Sequence, residues 1–267
     1  MTADSSAGDG RVHLTVVIPA FNEEEVILQT LDTVTAWLGG QSYRSEILVV
    51  DDGSTDRTAA IVEEASRANA AIRLARNGEN RGKGFSVRHG IEQASGTFVI
   101  FSDADLSTPI SEAEKLVTCL EAGDDIVIGS RDLPDSDVQL HQPWYRELMG
   151  KIFNRIVRIL VIGGIHDTQC GFKGFRREKV LDIVRRMKIE AFTFDVEILF
   201  LAKRAGLRIR EVPVIWLNNP DTRVNALTDS VRMFVDLFRI RYYHFSGRYK
   251  GSTVPVAART PGTSTKD

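Results

Sequence analysis

In the stretch Thr97-Phe-Val-Ile-Phe-Ser-Asp-Ala-Asp-Leu106, the five residues from Thr97 to Phe101 are all β-branched or aromatic. Such a run predicts a buried strand. Two carboxylates, Asp103 and Asp105, follow its carboxyl end with one residue between them. In an open α/β sheet, ligands bind outside the carboxyl ends of the strands. Magnesium is commonly held there by one or two carboxylates together with substrate phosphates. Most single Asp-x-Asp pairs are solvated turn residues, so the weight of this one depends on what the neighbouring strands carry.

Working outward, strands alternate with helices. Upstream, the pattern predicts strands at Val12–Ile18 (closed by Pro19), Glu46–Val50 and Ile72–Ala75. Helices are expected from about Glu23 to Gly39-Gly40, at Asp56–Arg67 and at Phe85–Ala94. In the first of these, Ile27, Leu31, Val34 and Leu38 recur at helical spacing. Downstream come a helix at Ser111–Glu121 and a strand at Asp125–Ile128. The second half is less regular: a helix at Trp144–Ile162, a short strand at Gly171–Phe175, and helices at Arg177–Met187 and Asp195–Ala205. Leu207–Leu217 reads as an edge strand because it contains Pro213. A last helix is expected at Leu227–Tyr243. This alternation predicts a mainly parallel sheet covered on both faces. The domain division expected is a leader at 1–10, a main α/β domain at 11–222, a C-terminal amphipathic helix region at 223–250 and a tail at 251–267, with leader and tail disordered.

Two more acidic clusters fall at strand ends: Val16-Val-Ile-Pro-Ala-Phe-Asn-Glu-Glu24 and Ile47-Leu-Val-Val-Asp-Asp-Gly-Ser-Thr-Asp56. Each alone reads as a turn with a helix start, Ser54 as an N-cap included. Parallel strands bring all three clusters to one edge, which solvation alone does not explain. A dinucleotide fold would carry Gly-x-Gly-x-x-Gly after the first strand; this chain has Pro-Ala-Phe-Asn-Glu there. Gly82-Lys83-Gly84 lacks the spacing of a phosphate-binding Walker loop. His166, Cys119 and Cys170 match no metal or thiol motif.

Bulk numbers narrow the class. The chain has 267 residues, 34 Lys and Arg against 36 Asp and Glu, a formal charge of −2 and two cysteines. No nucleic-acid partner is expected from that balance, and two cysteines give no disulfide framework, as in a reduced, cytosolic chain. Met1 to Gly10 has no apolar run of the kind an export signal needs. The run Ile156–Ile165 is interrupted by Arg158 and falls short of the ~20 residues a membrane span requires. Membrane contact would therefore be peripheral, at the cytoplasmic face. The helices Trp144–Ile162 and Leu227–Tyr243 combine an apolar stripe (Leu148, Ile152, Ile156, Ile159; Leu227, Val231, Phe234, Phe238) with a basic flank, as interfacial helices do. Packing of both stripes on the sheet is the competing explanation.

The segments Val17-Ile-Pro-Ala-Phe-Asn-Glu23, Val50-Asp-Asp-Gly-Ser-Thr-Asp56 and Asp103-Ala-Asp-Leu-Ser-Thr-Pro109 resemble the family 2 glycosyltransferases of GT-A fold. Ile128-Gly-Ser-Arg131 and Asp167-Thr-Gln-Cys-Gly-Phe-Lys173 narrow the resemblance to the polyprenyl-phosphate (dolichyl-phosphate) sugar synthases, nearest the β-glucosyltransferase-like branch. It spans about Val12 to Arg223. The resemblance implies that Pro19, Phe21, Glu23 and Asp52 hold the base and ribose of a nucleotide sugar, with Lys83, Asp103 and Ala104 in the same site. It implies Mg²⁺ or Mn²⁺ on Asp103 and Asp105; where the mannosyl branch often supplies Gln, Ser107 offers a shorter ligand. Arg131, Arg146 and Arg223 fall where the family places cations around the donor diphosphate and acceptor phosphate, and Asp167 matches a carboxylate near the acceptor proposed as base. Asp167, Asp105 and Arg131 are thus the expected catalytic set.

Elementary chemistry agrees with an inverting, metal-dependent transfer of a hexose from a nucleotide sugar, UDP-glucose foremost, to a polyprenyl phosphate. A phosphate monoester is largely ionised near neutral pH, so it needs no strong base to attack C1. The alternatives are GDP-mannose or a UDP-N-acetylhexosamine as donor, a soluble acceptor, or a catalytically silent nucleotide-sugar-binding or scaffold protein.

Overall fold

The computed structural model describes residues 11–139, 144–217 and 228–250, without the side chains of 144–149, 151 and 228–230. The expected leader at 1–10 and tail at 251–267 lie outside these residues, as do Arg223 and Leu227. Seven strands form the central sheet: β1 (Leu14–Ala20), β2 (Ser45–Asp51), β3 (Ile72–Arg76), β4 (Phe98–Ser102), β5 (Ile126–Ser130), β7 (Phe172–Arg176) and β8 (Ile209–Pro213). A separate two-stranded ribbon pairs β6 (Asp137–Gln139) with β9 (Ile215–Leu217). The helices are α1 (Ile27–Gly39), α2 (Thr58–Ala68), α3 (Lys83–Gln93), α4 (Ala113–Glu121), α5 (Trp144–Leu160), α6 (Arg177–Arg186), α7 (Phe194–Arg204) and α8 (Thr228–Phe245).

The strand order is β3-β2-β1-β4-β7-β5-β8, and every pairing is parallel except those made by β7. Alternate residues face opposite sides of the sheet, and here both sides are apolar. Val16, Ile18, Ile47, Val49, Ile100 and Val127 pack with α1, α2 and α4. Val17, Leu48, Val50, Val99, Phe101 and Ile128 pack with α3, α6 and α7, together with Val157 of α5 and Leu237 and Ile240 of α8. The near-continuous apolar strands follow from burial on both faces.

Chain progression runs from β1 out through β2 to β3, then returns to β4 on the other side of β1. The reversal opens a crevice at the carboxyl ends of β1 and β4, where open α/β sheets take ligands. Ala20 ends one strand and Ser102 the other, so the Phe21–Glu23 and Asp103–Asp105 segments flank that crevice.

Three local differences from the sequence reading have physical causes. Strand β1 runs through Pro19, which pairs with Val50, because pairing with β4 has already stopped at Val17↔Phe101. Helix α1 starts at Ile27 rather than about Glu23, after a turn in which the Glu23 carbonyl already accepts from Val26 and Ile27 and the N–H groups of Asn22, Glu23 and Glu24 are taken by Ser54, Thr58 and Asp56. Pro213 ends β8 at the sheet edge, and the chain beyond it leaves to pair with β6, a strand the sequence did not reveal.

Candidate active site

The loops after β1 and β2 are laced together. Asn22 takes a left-handed backbone (φ 56°) and donates its N–H to Ser54 Oγ at 2.9 Å, while its Oδ1 accepts from Thr55 N at 2.8 Å. Pro19, Phe21 and Glu23 are half-buried along this rim. Asp52 behaves differently. Its carboxylate is buried and accepts hydrogen bonds from Asn77 Nδ2 (2.7 Å), Arg81 N (3.0 Å) and Gly82 N (2.8 Å). It thereby holds the 77–82 loop, which delivers Lys83 to the first position of α3. Gly82 is required at that point: its φ is 99°, and a Cβ would fall 2.5 Å from the Glu190 carbonyl oxygen.

At the end of β4, Asp103 to Leu106 make a tight turn with Leu106 at φ 48°. Ala104 is anchored through its carbonyl, which accepts from Thr30 Oγ1 at 2.5 Å. Asp105 is exposed and accepts from Ser107 N at 2.9 Å; the Ser107 carbonyl in turn accepts from Leu217 N. Asp103 Oδ1 lies 2.6 Å from the Lys83 ammonium. That contact is electrostatic rather than directed, since Oδ1 is buried and accepts no well-aligned hydrogen bond among the described residues. Burial pulls the Lys83 pKa down, but the carboxylates of Asp103, Asp195 and Asp105 outweigh it, so the ammonium stays charged.

At the end of β5, Arg131 meets Asp167 in a bidentate pair, Nε–Oδ2 2.7 Å and Nη2–Oδ1 3.0 Å, with its own backbone N–H also on Oδ2. Asp167 is only 1% exposed. Burial pushes its carboxyl pKa up, but the Arg131 charge and hydrogen bonds pull it below the usual carboxylate range. The same partnership raises the Arg131 pKa against the opposing effect of burial. Both oxygens of this carboxylate are thus engaged by Arg131.

A family model described as Glycosyl transferase family 2 matches residues 15–184, a segment that includes the acid pair of β4, Lys83, Arg131 and Asp167. The chain is a family 2 glycosyltransferase. It is 35% identical over 251 residues to a dolichyl-phosphate beta-glucosyltransferase of Dictyostelium discoideum, covering 90% of this chain and 77% of that protein. The enzymes of the same name from Saccharomyces cerevisiae (33%, covering 91% and 78%) and Homo sapiens (30%, covering 89% and 77%) are similar to it as well. In fold it resembles mannosyl-3-phosphoglycerate synthase from Rubrobacter xylanophilus, with a TM-score of 0.65 at 19% identity, covering 92% of this chain and 79% of the other. It also resembles glucosyl-3-phosphoglycerate synthase from Mycobacterium tuberculosis in complex with Mn²⁺, UDP-glucose and phosphoglyceric acid, with a TM-score of 0.63 at 22% identity, covering 86% and 80%. The mostly parallel sheet is thus that of the GT-A glycosyltransferases.

Around these side chains lie residues to which the sequence reading gave no role. Lys173 of β7 is fully buried, 2.6 Å from Asp195 Oδ1 and 2.5 Å from the Cys170 carbonyl oxygen. Burial raises the Asp195 pKa in spite of Lys173 and Lys83. A charged residue inside the apolar strand Phe-Lys-Gly-Phe, and an acid within the apolar start of α7, were the visible signals. Gly171 is the other: a Cβ there would sit 2.0 Å from Asp103 Oδ2, so only glycine lets the antiparallel strand lie against that carboxylate. The Cys170 thiol is pushed up to about 11 by burial and remains a small apolar side chain.

Beyond Arg131, a cavity of about 960 Å³ opens between the 131–134 turn, α5 and the 163–166 turn. Arg131, Arg155, Arg158 and His166 line it beside Leu133 and Ile159. Arg146 belongs to α5, and its side chain lies outside the described residues.

Proposed function

We propose that this glycosyltransferase moves glucose from UDP-glucose to a dolichyl or polyprenyl phosphate, with inversion at C1, at a membrane surface. The observation that carries the reading is the acid pair Asp103/Asp105 at the sheet crevice; Arg131, at the end of β5, lines a cavity with Arg155 and Arg158. The named activity of the relatives, similar along nine-tenths of the chain, supports the sugar and the lipid.

The donor set fits a hard divalent cation, Mg²⁺ or Mn²⁺. It offers two carboxylates, one with a buried oxygen lacking a directed hydrogen bond. Among the described residues no cluster of three acids, histidines or cysteines surrounds them, so phosphate oxygens would complete the shell, as is usual for magnesium. Ser107 reaches this turn through its backbone N–H on Asp105. When bound, such a cation would offset the charge that develops on the leaving diphosphate.

The chain's own residues do the rest. Pro19, Phe21 and Glu23 wall the nucleotide, and Asp52 fixes the loop that presents Lys83. Lys83 and Arg131 place positive charge beside the phosphates, Arg131 in an orientation set by Asp167. The acceptor's phosphate oxygen attacks C1 as the bond from C1 to the diphosphate breaks. Its ionised state makes a protein base unnecessary, in keeping with an Asp167 already committed to Arg131. Arg155 and Arg158 extend the phosphate path that Arg146 and Arg223 were expected to form.

A soluble phosphorylated acceptor, as in the structural neighbours, is the second reading. Surface composition favours the lipid. On α8, Leu237 and Ile240 are buried against the core, yet Val231, Phe234, Val235, Phe238, Tyr242 and Phe245 are exposed, Phe245 by 74%. On α5, Ile152, Ile159 and Leu160 are exposed likewise. These apolar side chains stay uncovered although Val157, Leu237 and Ile240 of the same helices pack on the core, and Arg155, Arg158, Arg232, Arg239 and Arg241 flank them. That combination suits an interface with anionic lipid, here on the cytoplasmic side, where free Cys119 and Cys170 stay reduced. No helix among the described residues is long and apolar enough to cross a membrane.

The test is acceptor competition. With UDP-glucose as donor, dolichyl phosphate in anionic vesicles should accept glucose far faster than 3-phosphoglycerate, and the protein should float with those vesicles at low salt. Preference for the soluble acid without flotation would support the second reading.

A further inference from the structure

The Lys83 ammonium occupies one of the oxygens that the metal reading assigns to a divalent cation. It lies 2.6 Å from Asp103 Oδ1 and 5.4 Å from the centre of the Phe101 ring. The carboxylate has little room to turn away, because Gly171 presses on its other oxygen so closely that a Cβ would overlap Oδ2 at 2.0 Å. The lysine is equally constrained at its root. Asp52 ties down the two residues before it, and Glu190 O accepts the N–H groups of the two residues after it, Gly84 and Phe85. A hard cation bonds such an oxygen at about 2.0–2.1 Å. Two cations cannot share one buried oxygen at these distances without strong repulsion, so the ammonium must leave before a metal can use Oδ1.

Something has to receive it. Asp195 acts on the same ammonium, but its Oδ1 already holds Lys173 at 2.6 Å. A diphosphate entering the crevice brings the larger negative charge.

We propose that Lys83 is a resident counter-cation of Asp103, which withholds that carboxylate from a divalent metal until a nucleoside diphosphate draws the ammonium away. The inference rests on the reading of Asp103 and Asp105 as the metal's acids. Its consequence is conditional binding: metal alone competes with a tethered cation and binds weakly, whereas metal and nucleotide enter together. Nothing is oxidised, reduced or transferred in the exchange; one ion pair replaces another.

The experiment is titration of the full chain with Mn²⁺, reading free Mn²⁺ by electron paramagnetic resonance, first alone and then with saturating UDP. Wild type is compared with Lys83→Met, which keeps the length and removes the charge; Lys83→Gln replaces it should thermal unfolding show that variant misfolded. A charge this close shifts a carboxylate's proton affinity by about 1–3 units. Loss of the ammonium should therefore tighten binding of Mn²⁺ alone about tenfold or more, on the same scale. The additional tightening produced by UDP should be smaller in the variant. If wild type takes up Mn²⁺ with UDP but the neutral variants bind Mn²⁺ alone no better than wild type, the counter-cation role is overturned while the metal reading stands. If no protein takes up Mn²⁺ even with UDP, the metal reading falls and this inference falls with it.

Discussion

Asp167→Asn separates a residue that positions Arg131 from one that accepts a proton. The Asp167 carboxylate receives four hydrogen bonds: Arg131 N and Nε on Oδ2, at 3.1 and 2.7 Å, and Arg131 Nη2 and Gln169 N on Oδ1, at 3.0 and 3.1 Å. Asparagine keeps the volume but turns one oxygen into a donor, so two of the four N–H groups lose their acceptor. Hydrogen bonds to charged groups contribute about 1.5–3 kcal/mol each. Removing one member of a buried ion pair costs about 3–5 kcal/mol. Arg131 is 28% exposed and regains some water, which argues for the lower end, about 3 kcal/mol. At about 2–4 °C per kcal/mol for a domain of this size, the melting temperature should fall by about 6–12 °C. The sign of the pH dependence follows from the depressed carboxyl pKa. The stabilisation is fully present above the unfolded aspartate value of about 3.9, and is lost as the pH falls through the lower folded value. The gap between wild type and variant should thus persist at neutral pH and close in acid. The assay is thermal unfolding across pH, with transfer measured on the same samples. A variant that melts with wild type but has lost transfer would refute the positioning role and make Asp167 a proton acceptor.

Three further outcomes are expected. Asp105→Asn should lower transfer about 100-fold or more, a loss of several kcal/mol of charge stabilisation, with the melting temperature nearly unchanged because the residue is exposed; chelation with EDTA should abolish transfer in wild type. Gly171→Ala should disable the site through Asp103 rather than the fold, so weakened UDP binding in calorimetry with intact secondary structure checks it. Asp52→Ala frees three donors in the loop before α3, and should raise the donor KM by more than it lowers kcat; an unchanged KM in steady-state kinetics would count against the loop-holding role.

What the sequence made legible was the repeating part. Apolar strands and helices with one buried stripe, such as Ile27, Leu31, Val34 and Leu38, follow from local periodicity, and the acid pair was visible because it ends a strand. Orientation was not legible: nothing in Phe172–Arg176 says that it inserts antiparallel between β4 and β5, since that is decided by contacts distant in sequence. The same holds for partners. Asp52 was expected at the nucleotide and Asp167 near the acceptor; that they also bind the 77–82 loop and Arg131 was not legible, because sequence shows a carboxylate but not the donors that fold around it. Lys173 and Asp195 were given no role for the converse reason. A lysine in an apolar strand looks like a misfit until its acid arrives from a helix 22 residues further on.

The most direct test of the account gives the purified chain UDP-[¹⁴C]glucose and, separately, GDP-[¹⁴C]mannose and a labelled UDP-N-acetylhexosamine, each with dolichyl phosphate vesicles and Mn²⁺ or Mg²⁺. Label should pass to the lipid phase from UDP-glucose, as an acid-labile β-linked glucosyl phosphate, and only when a divalent metal is present. Lipid labelling from one of the other donors instead, or from UDP-glucose at full rate in EDTA, would contradict it.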